Sequence, residues 1–144
     1  IENGILFQYN KSVMIYRCPS DKGAVYDRFR NKYPRTRSYS MSNSIGKGGQ
    51  KFSQIKDPPP VQALVFMDED ENSINDGNIG LRAFPSEDWG DSPSKRHNNG
   101  ACLTFADGHV EYWKWYSKGK FYRGRASKDT LVDLRRLQQV IPKN

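Results

Sequence analysis

Apolar residues recur along this chain at two different periods. Over residues 38–45, Tyr39, Met41 and Ile45 fall on one alternating face and Ser40, Ser42 and Ser44 on the other, the pattern of a half-buried strand. Residues 61–67, VQALVFM, form the most hydrophobic run and predict the central strand of a sheet, closed by Asp68. Residues 101–106 and 109–116 predict two further strands. Asp107-Gly108 is their connection, and as a two-residue hairpin turn it would place both residues at positive φ. Towards the C-terminus the period lengthens. Leu131, Leu134, Leu137, Val140 and Ile141 recur every three or four residues, which predicts a helix over roughly residues 129–140, capped by Ser127 or Asp129 and stopped by Pro142.

Between these segments the periodicity fades. Residues 4–9 suggest a short helical or extended entry, and residues 13–17 a brief strand that stops at Cys18-Pro19, because Pro19 donates nothing to a ladder. Residues 20–34 are polar and basic and read as a surface loop. Gly46-Lys47-Gly48-Gly49 lacks the spacing of a phosphate loop and no helical pattern follows it, so it reads as a turn. Pro58-Pro59-Pro60 is a stiff extended spacer. Residues 77–94 predict a long irregular excursion anchored by Phe84 and Trp89, and residues 118–128 a basic turn with a remnant of strand. The expected fold is α+β: one domain over residues 1–144, with an antiparallel sheet of short strands, long irregular loops and a C-terminal helix.

Composition sharpens this picture. A hydrophobic fraction of 35% beside 12% aromatic residues points to a thin sheet-based core with amphipathic aromatics at its edges. The mean hydropathy of −0.87 agrees. Twenty-three basic against 16 acidic residues give a net charge of +7, which raises nucleic acid or an anionic surface as a partner. The basic residues are nevertheless spread over residues 28–37, 114–128 and the C-terminus, as on a solvated surface. No stretch approaches the ~18 apolar residues of a membrane span, and no signal-peptide core is present.

Four sets of residues carry candidate chemistry. Asp68, Asp70, Asn72 and Asp76 gather hard oxygen ligands suited to calcium, or they form an acidic surface loop. The EF-hand pattern fits poorly, since Ser73 stands in place of its glycine and Ile79 in place of its bidentate Glu. His97, Asp107 and His109 could converge across the hairpin as transition-metal ligands, or serve the turn and its entry loop. Tyr112, Trp113, Trp115 and Tyr116, followed by Phe121, Tyr122 and interleaved basic residues, form an aromatic and basic belt able to stack sugars or single-stranded bases, or to build a subunit interface. Strand alternation puts Trp113 and Trp115 on one face and Tyr112 and Tyr116 on the other, so one row is expected to be core or a helix-docking face. Cys18 and Cys102 allow one long-range disulfide in an oxidising compartment and two small thiols elsewhere. Neither G-x-S-x-G nor a Cys-His signature accompanies the histidines, so no enzyme is expected.

Five runs occur in a telling order: YRCPSD at residues 16–21, SYSMSNSIG at 38–46, MDEDENSIND at 67–76, His97 followed after nine residues by Asp107-Gly108, and DLRRLQ at 133–138. Together they resemble the H-x9-DG family of prepilin-type processing-associated proteins, relatives of type II secretion pseudopilins and type IV pilins. The resemblance implies a pilin-like globular head whose sheet packs on an N-terminal hydrophobic helix, a segment not present in this sequence. It implies a structural subunit of an extracellular or periplasmic filament at the cell envelope, with other pilin-like subunits as partners. Calcium in a loop of the head is implied as a cofactor, and membrane attachment only through the missing helix. Without that helix, an apolar face of the sheet is expected to be exposed or covered by a partner. The alternative is a surface module that binds polysaccharide or nucleic acid through the aromatic belt.

Overall fold

A computed structural model describes residues 1–46 and 51–143. Lys47, Gly48 and Gly49 of the glycine-rich turn lie outside them. The fold is α+β. In chain order it comprises α1 (Phe7–Asn10), β1 (Ala24–Tyr26), β2 (Lys32–Pro34), β3 (Tyr39–Ser42), α2 (Asn43–Gly46), β4 (Leu64–Asp68), β5 (Asn78–Ile79), β6 (Asp88–Trp89), β7 (Gly100–Phe105), β8 (Val110–Lys114), β9 (Gly124–Arg125) and α3 (Lys128–Val140).

Five strands form the main sheet in the order β5-β3-β4-β7-β8, so the hydrophobic run does supply the central strand. All pairs are antiparallel except β3 with β5. The register shifts between Leu64 and Phe66, where β4 meets β7. This irregularity turns Leu64 and Met67 to the same buried side, whereas strict alternation would separate them. Two short ribbons, β1-β2 and β6-β9, stand outside the sheet.

The core fills one face. Leu64, Met67, Ala101, Leu103, Phe105 and Trp115 pack with Leu134, Leu137 and Val140 of α3, with Trp89 of β6 and with Phe121 from the segment between β8 and β9. Ser127 starts the helix by accepting a hydrogen bond from the Thr130 N–H. Polar groups of α3 then clamp the surrounding chain. Asp133 accepts from the backbone N–H groups of Tyr116 (3.1 Å) and Ser117 (2.9 Å). Arg136 donates to the Lys114 carbonyl and Gln138 to the carbonyls of Arg82 and Ser86. The DLRRLQ run is thus a helix that holds loops in place.

Several expectations change. Residues 13–16 form a 3-10 turn rather than a strand. The polar loop 20–34 contains the exposed ribbon β1-β2. Phe84 is 69% exposed beneath the Arg135 guanidinium and anchors nothing, whereas Trp89 is buried. In the hairpin, Gly108 alone has positive φ, at 94°. Its N–H bonds to the Phe105 carbonyl and Phe105 N–H to the His109 carbonyl, so the loop is a three-residue connection closed by glycine.

The alternation of β3 leaves open which of its faces is inside. Its serine face is the buried one: Ser40 is 1% and Ser42 0% exposed, while Tyr39 and Met41 are half-buried. Ser40 meets a buried carboxylate there, that of Glu69, whereas Ser42 Oγ has no hydrogen-bond partner among the described residues.

Candidate functional site

Four of the five runs meet at one buried polar centre beside the end of β4. Residues 18–21 form a turn in which Asp21 N–H bonds to the Cys18 carbonyl. Asp21 then accepts from the Ser38 hydroxyl (2.5 Å) and the Gly23 N–H (2.7 Å). Ser38 Oγ also accepts from Cys18 N–H, which fixes the cysteine against β3. From the next run, Ser40 donates to Glu69 Oε2 and Ser73 to Glu69 Oε1.

Arg96 ties the acids together. Its guanidinium binds Asp68 Oδ1, the Glu69 carbonyl (2.9 Å) and Glu71 Oε2 (3.2 Å), and stands 3.8 Å from Asp21. The arginine side chain is 9% exposed and those of Asp21 and Asp68 are fully covered. A guanidinium suits this position because its fixed fork satisfies several oxygens at once.

Electrostatics follow from burial. Burial pushes Asp68 up to about 6, against the pull of Arg96 and His97. It pushes Glu69 up to about 7, against the hydroxyls of Ser40 and Ser73. Burial works upward on Asp21 too, but the Ser38 hydroxyl, the Gly23 N–H and the cations Arg96 and Arg35 hold it below its ordinary value. The Tyr39 phenol is raised to about 12 by burial, with Cys18 and Asp68 adding to the effect.

His97 completes the centre. Its Nε2 lies 3.3 Å from Cys18 Sγ and 3.1 Å from Asp68 Oδ2. A catalytic cysteine would use the two ring nitrogens for different partners, one for the thiol and one for the carboxylate. Here one nitrogen faces both, and Cys18, at 2% exposure, offers no approach to a substrate. The arrangement is not that of a cysteine nucleophile.

The predicted sites fare differently. The expected convergence of His97, Asp107 and His109 does not occur, because His97 precedes β7 and Asp107 follows it, at opposite ends of a six-residue strand. His109 instead bonds to Asp107 (2.6 Å) and Glu111 (3.2 Å) at the exposed tip, where Gly108 serves the turn. The calcium set does not assemble either. Asp68 is committed to Arg96, Asp70 Oδ1 accepts from the Asn72 N–H and side-chain amide, and Asp76 accepts from the Asn78 N–H. Asp70 and Asp76 thus behave as turn residues. Among the described residues the one cluster of three His, Cys or acidic ligand atoms is Cys18, Asp68 and His97.

The aromatic belt is divided between two faces. Trp115 is buried and Trp113 packs against the core beneath Arg136, as strand alternation predicts for one row. Tyr112 lies on the other face with its hydroxyl on the His97 carbonyl, and Tyr116, beyond the end of β8 and 68% exposed, shares the Arg136 guanidinium with Trp113. The four rings offer no common platform for a ligand. Both cysteines are free thiols, with no disulfide between them. Cys18 faces His97, and half-buried Cys102 opens on a separate groove.

Sequence reasoning missed Arg96, Asp21, Glu69 and the buried serines as members of one site. A signal was present. Arginine directly before His97, and serines alternating through a strand opposite an acidic run, are what buried carboxylates require.

The groove lies on the sheet face opposite α3. Tyr39, Phe66, Cys102 and Val110 floor it, Leu6 and Tyr16 rim it, and it encloses about 500 Å³. Val110 is 61% exposed and Tyr112 49%. Among the described residues, no helix is long and apolar enough to cross a membrane. No family model matches this chain, and no curated protein or solved structure does.

Proposed function

We propose that this chain is the globular head of a pilin-like structural subunit of an extracellular or periplasmic filament. The observation that supports the reading is the open apolar face of the sheet. Its core face is covered by α3, whereas the opposite face presents Tyr39, Phe66, Cys102 and Val110 under sparse cover from residues 1–16. A sheet buries both faces when a second layer is supplied, and a helix about 10 Å across matches such a groove. In the proposed subunit that layer is an N-terminal hydrophobic helix, and packing between helices drives assembly. The arrangement of the five sequence runs supports the same reading, since four of them build one buried centre that holds the head together.

The test uses the protein from its native source. Mass spectrometry of the mature N-terminus is expected to find a hydrophobic segment ahead of Ile1 that begins with a processed, methylated residue. A mature native chain that starts near Ile1 and stays monomeric would overturn the proposal.

A further inference from the structure

Independently of the filament reading, the centre around His97 poses a bonding problem. An imidazole nitrogen has a single in-plane direction for bonding, either a proton or a lone pair. His97 Nε2 meets Cys18 Sγ at 3.3 Å and Asp68 Oδ2 at 3.1 Å and cannot serve both with it. When that nitrogen serves Cys18, Asp68 Oδ2 is left with no hydrogen bond from the described residues, although the side chain is fully buried. An unpartnered buried carboxylate oxygen is destabilising, because its desolvation is not repaid. Its other oxygen is firmly held by Arg96.

A cation resolves this conflict. Sulfur, nitrogen and oxygen donors lie within 4.8 Å of one another, each with a lone pair to give. The edges of a tetrahedral zinc site are about 3.3 Å between nitrogen and oxygen ligands and about 3.6 Å between nitrogen and sulfur, from the usual bond lengths. The observed 3.1 and 3.3 Å differ from these by only a few tenths of an ångström. We propose that Cys18 Sγ, Asp68 Oδ2 and His97 Nε2 form a binding site for one transition-metal ion, zinc by the softness and geometry of its donors.

Binding releases the thiol proton to solvent, leaving thiolate and carboxylate to balance the dication. Arg96 on Asp68 Oδ1 supplies the outer hydrogen bond that orients a ligating carboxylate. The fourth position is left for water, and the 27% exposure of the His97 side chain provides the way in. The ion would join the turn after residue 17, the end of β4 and the loop before β7, the cross-link that the unformed disulfide does not make. Its role is structural.

The experiment titrates the metal-stripped 144-residue domain with Co²⁺ and Zn²⁺ alone. One equivalent of Co²⁺ is expected, with a near-ultraviolet thiolate-to-cobalt charge-transfer band that Zn²⁺ displaces, and zinc should raise the melting temperature in a concentration-dependent way. Cys18→Ser should abolish the band, and His97→Gln should weaken binding at least tenfold while near-ultraviolet circular dichroism confirms the fold. Cys102→Ser and His109→Gln should leave binding unchanged. Absence of a stoichiometric thiolate band in the wild-type domain would overturn the proposal, as would binding that survives His97→Gln or is lost in Cys102→Ser or His109→Gln.

Discussion

The carboxylate of Asp133 accepts two backbone N–H groups just beyond β8 and a guanidinium hydrogen from Arg136, and it is fully buried. Asp133→Ala leaves two donors unmet and is expected to cost about 2–4 kcal/mol on the usual penalty for orphaned buried groups. Urea unfolding measures this, and a loss below about 0.5 kcal/mol would contradict the assigned role. At the exposed hairpin tip the argument concerns pH. Hydrogen bonds donated to Asp107 and Glu111 raise His109, and hydrogen bonds received from His109 and Trp113 lower those carboxylates in turn. A raised histidine contributes fully below its unfolded value of about 6.5 and loses the contribution as pH rises through the folded value. The lowered carboxylates contribute above about 4 and lose it as pH falls. The trio is therefore strongest between about 4 and 6.5. Titration by NMR should place the His109 midpoint above the unfolded value, and Asp107→Asn should bring it down. Coincident midpoints in the two proteins would exclude the coupling.

At the scale of elements, α3 is held by one apolar stripe. Leu134 is 0% exposed and Val132 45%. Leu134→Ala should cost about 2–5 kcal/mol by cavity formation, and Val132→Ala about 0.5 kcal/mol or less. Comparable losses at the two positions would mean that the helix does not pack by this stripe. That stripe was legible in the sequence because period and burial coincide, as was the central strand, whose run of apolar residues has no other place to go. β3 was not legible. Alternation revealed two faces but not which one was inside, and the choice fell to Asp21 and Glu69, residues distant in sequence whose burial demands the hydroxyls of Ser38 and Ser40. The same limit applies to the site. Cys18, Asp68 and His97 lie in three separate segments, and their convergence depends on strand order, which spacing along the chain does not encode. Asp107 and His109 looked like partners of His97 because they share a hairpin, yet the length of β7 keeps them apart.

For the molecule as a whole, two faces of one sheet have different fates. One carries the core and α3, with Ser40 turned to the same side as Met67, and the other carries Asp68 beside Tyr39 at one end and an apolar groove next to it. Cys102 lies in that groove, and burial, with Asp68 and Cys18 nearby, raises its thiol above the ordinary value, which slows its labelling without preventing it. It therefore reports on whatever covers the sheet. The decisive measurement compares maleimide labelling of Cys102 in the isolated 144-residue domain with its labelling in the full protein from the native source, read by peptide mass spectrometry. A filament subunit with a helix laid over the sheet predicts ready modification of Cys102 in the isolated domain and at least tenfold protection in the native protein. Equal labelling in both would contradict the pilin-like account, because nothing would then cover the face on which it rests.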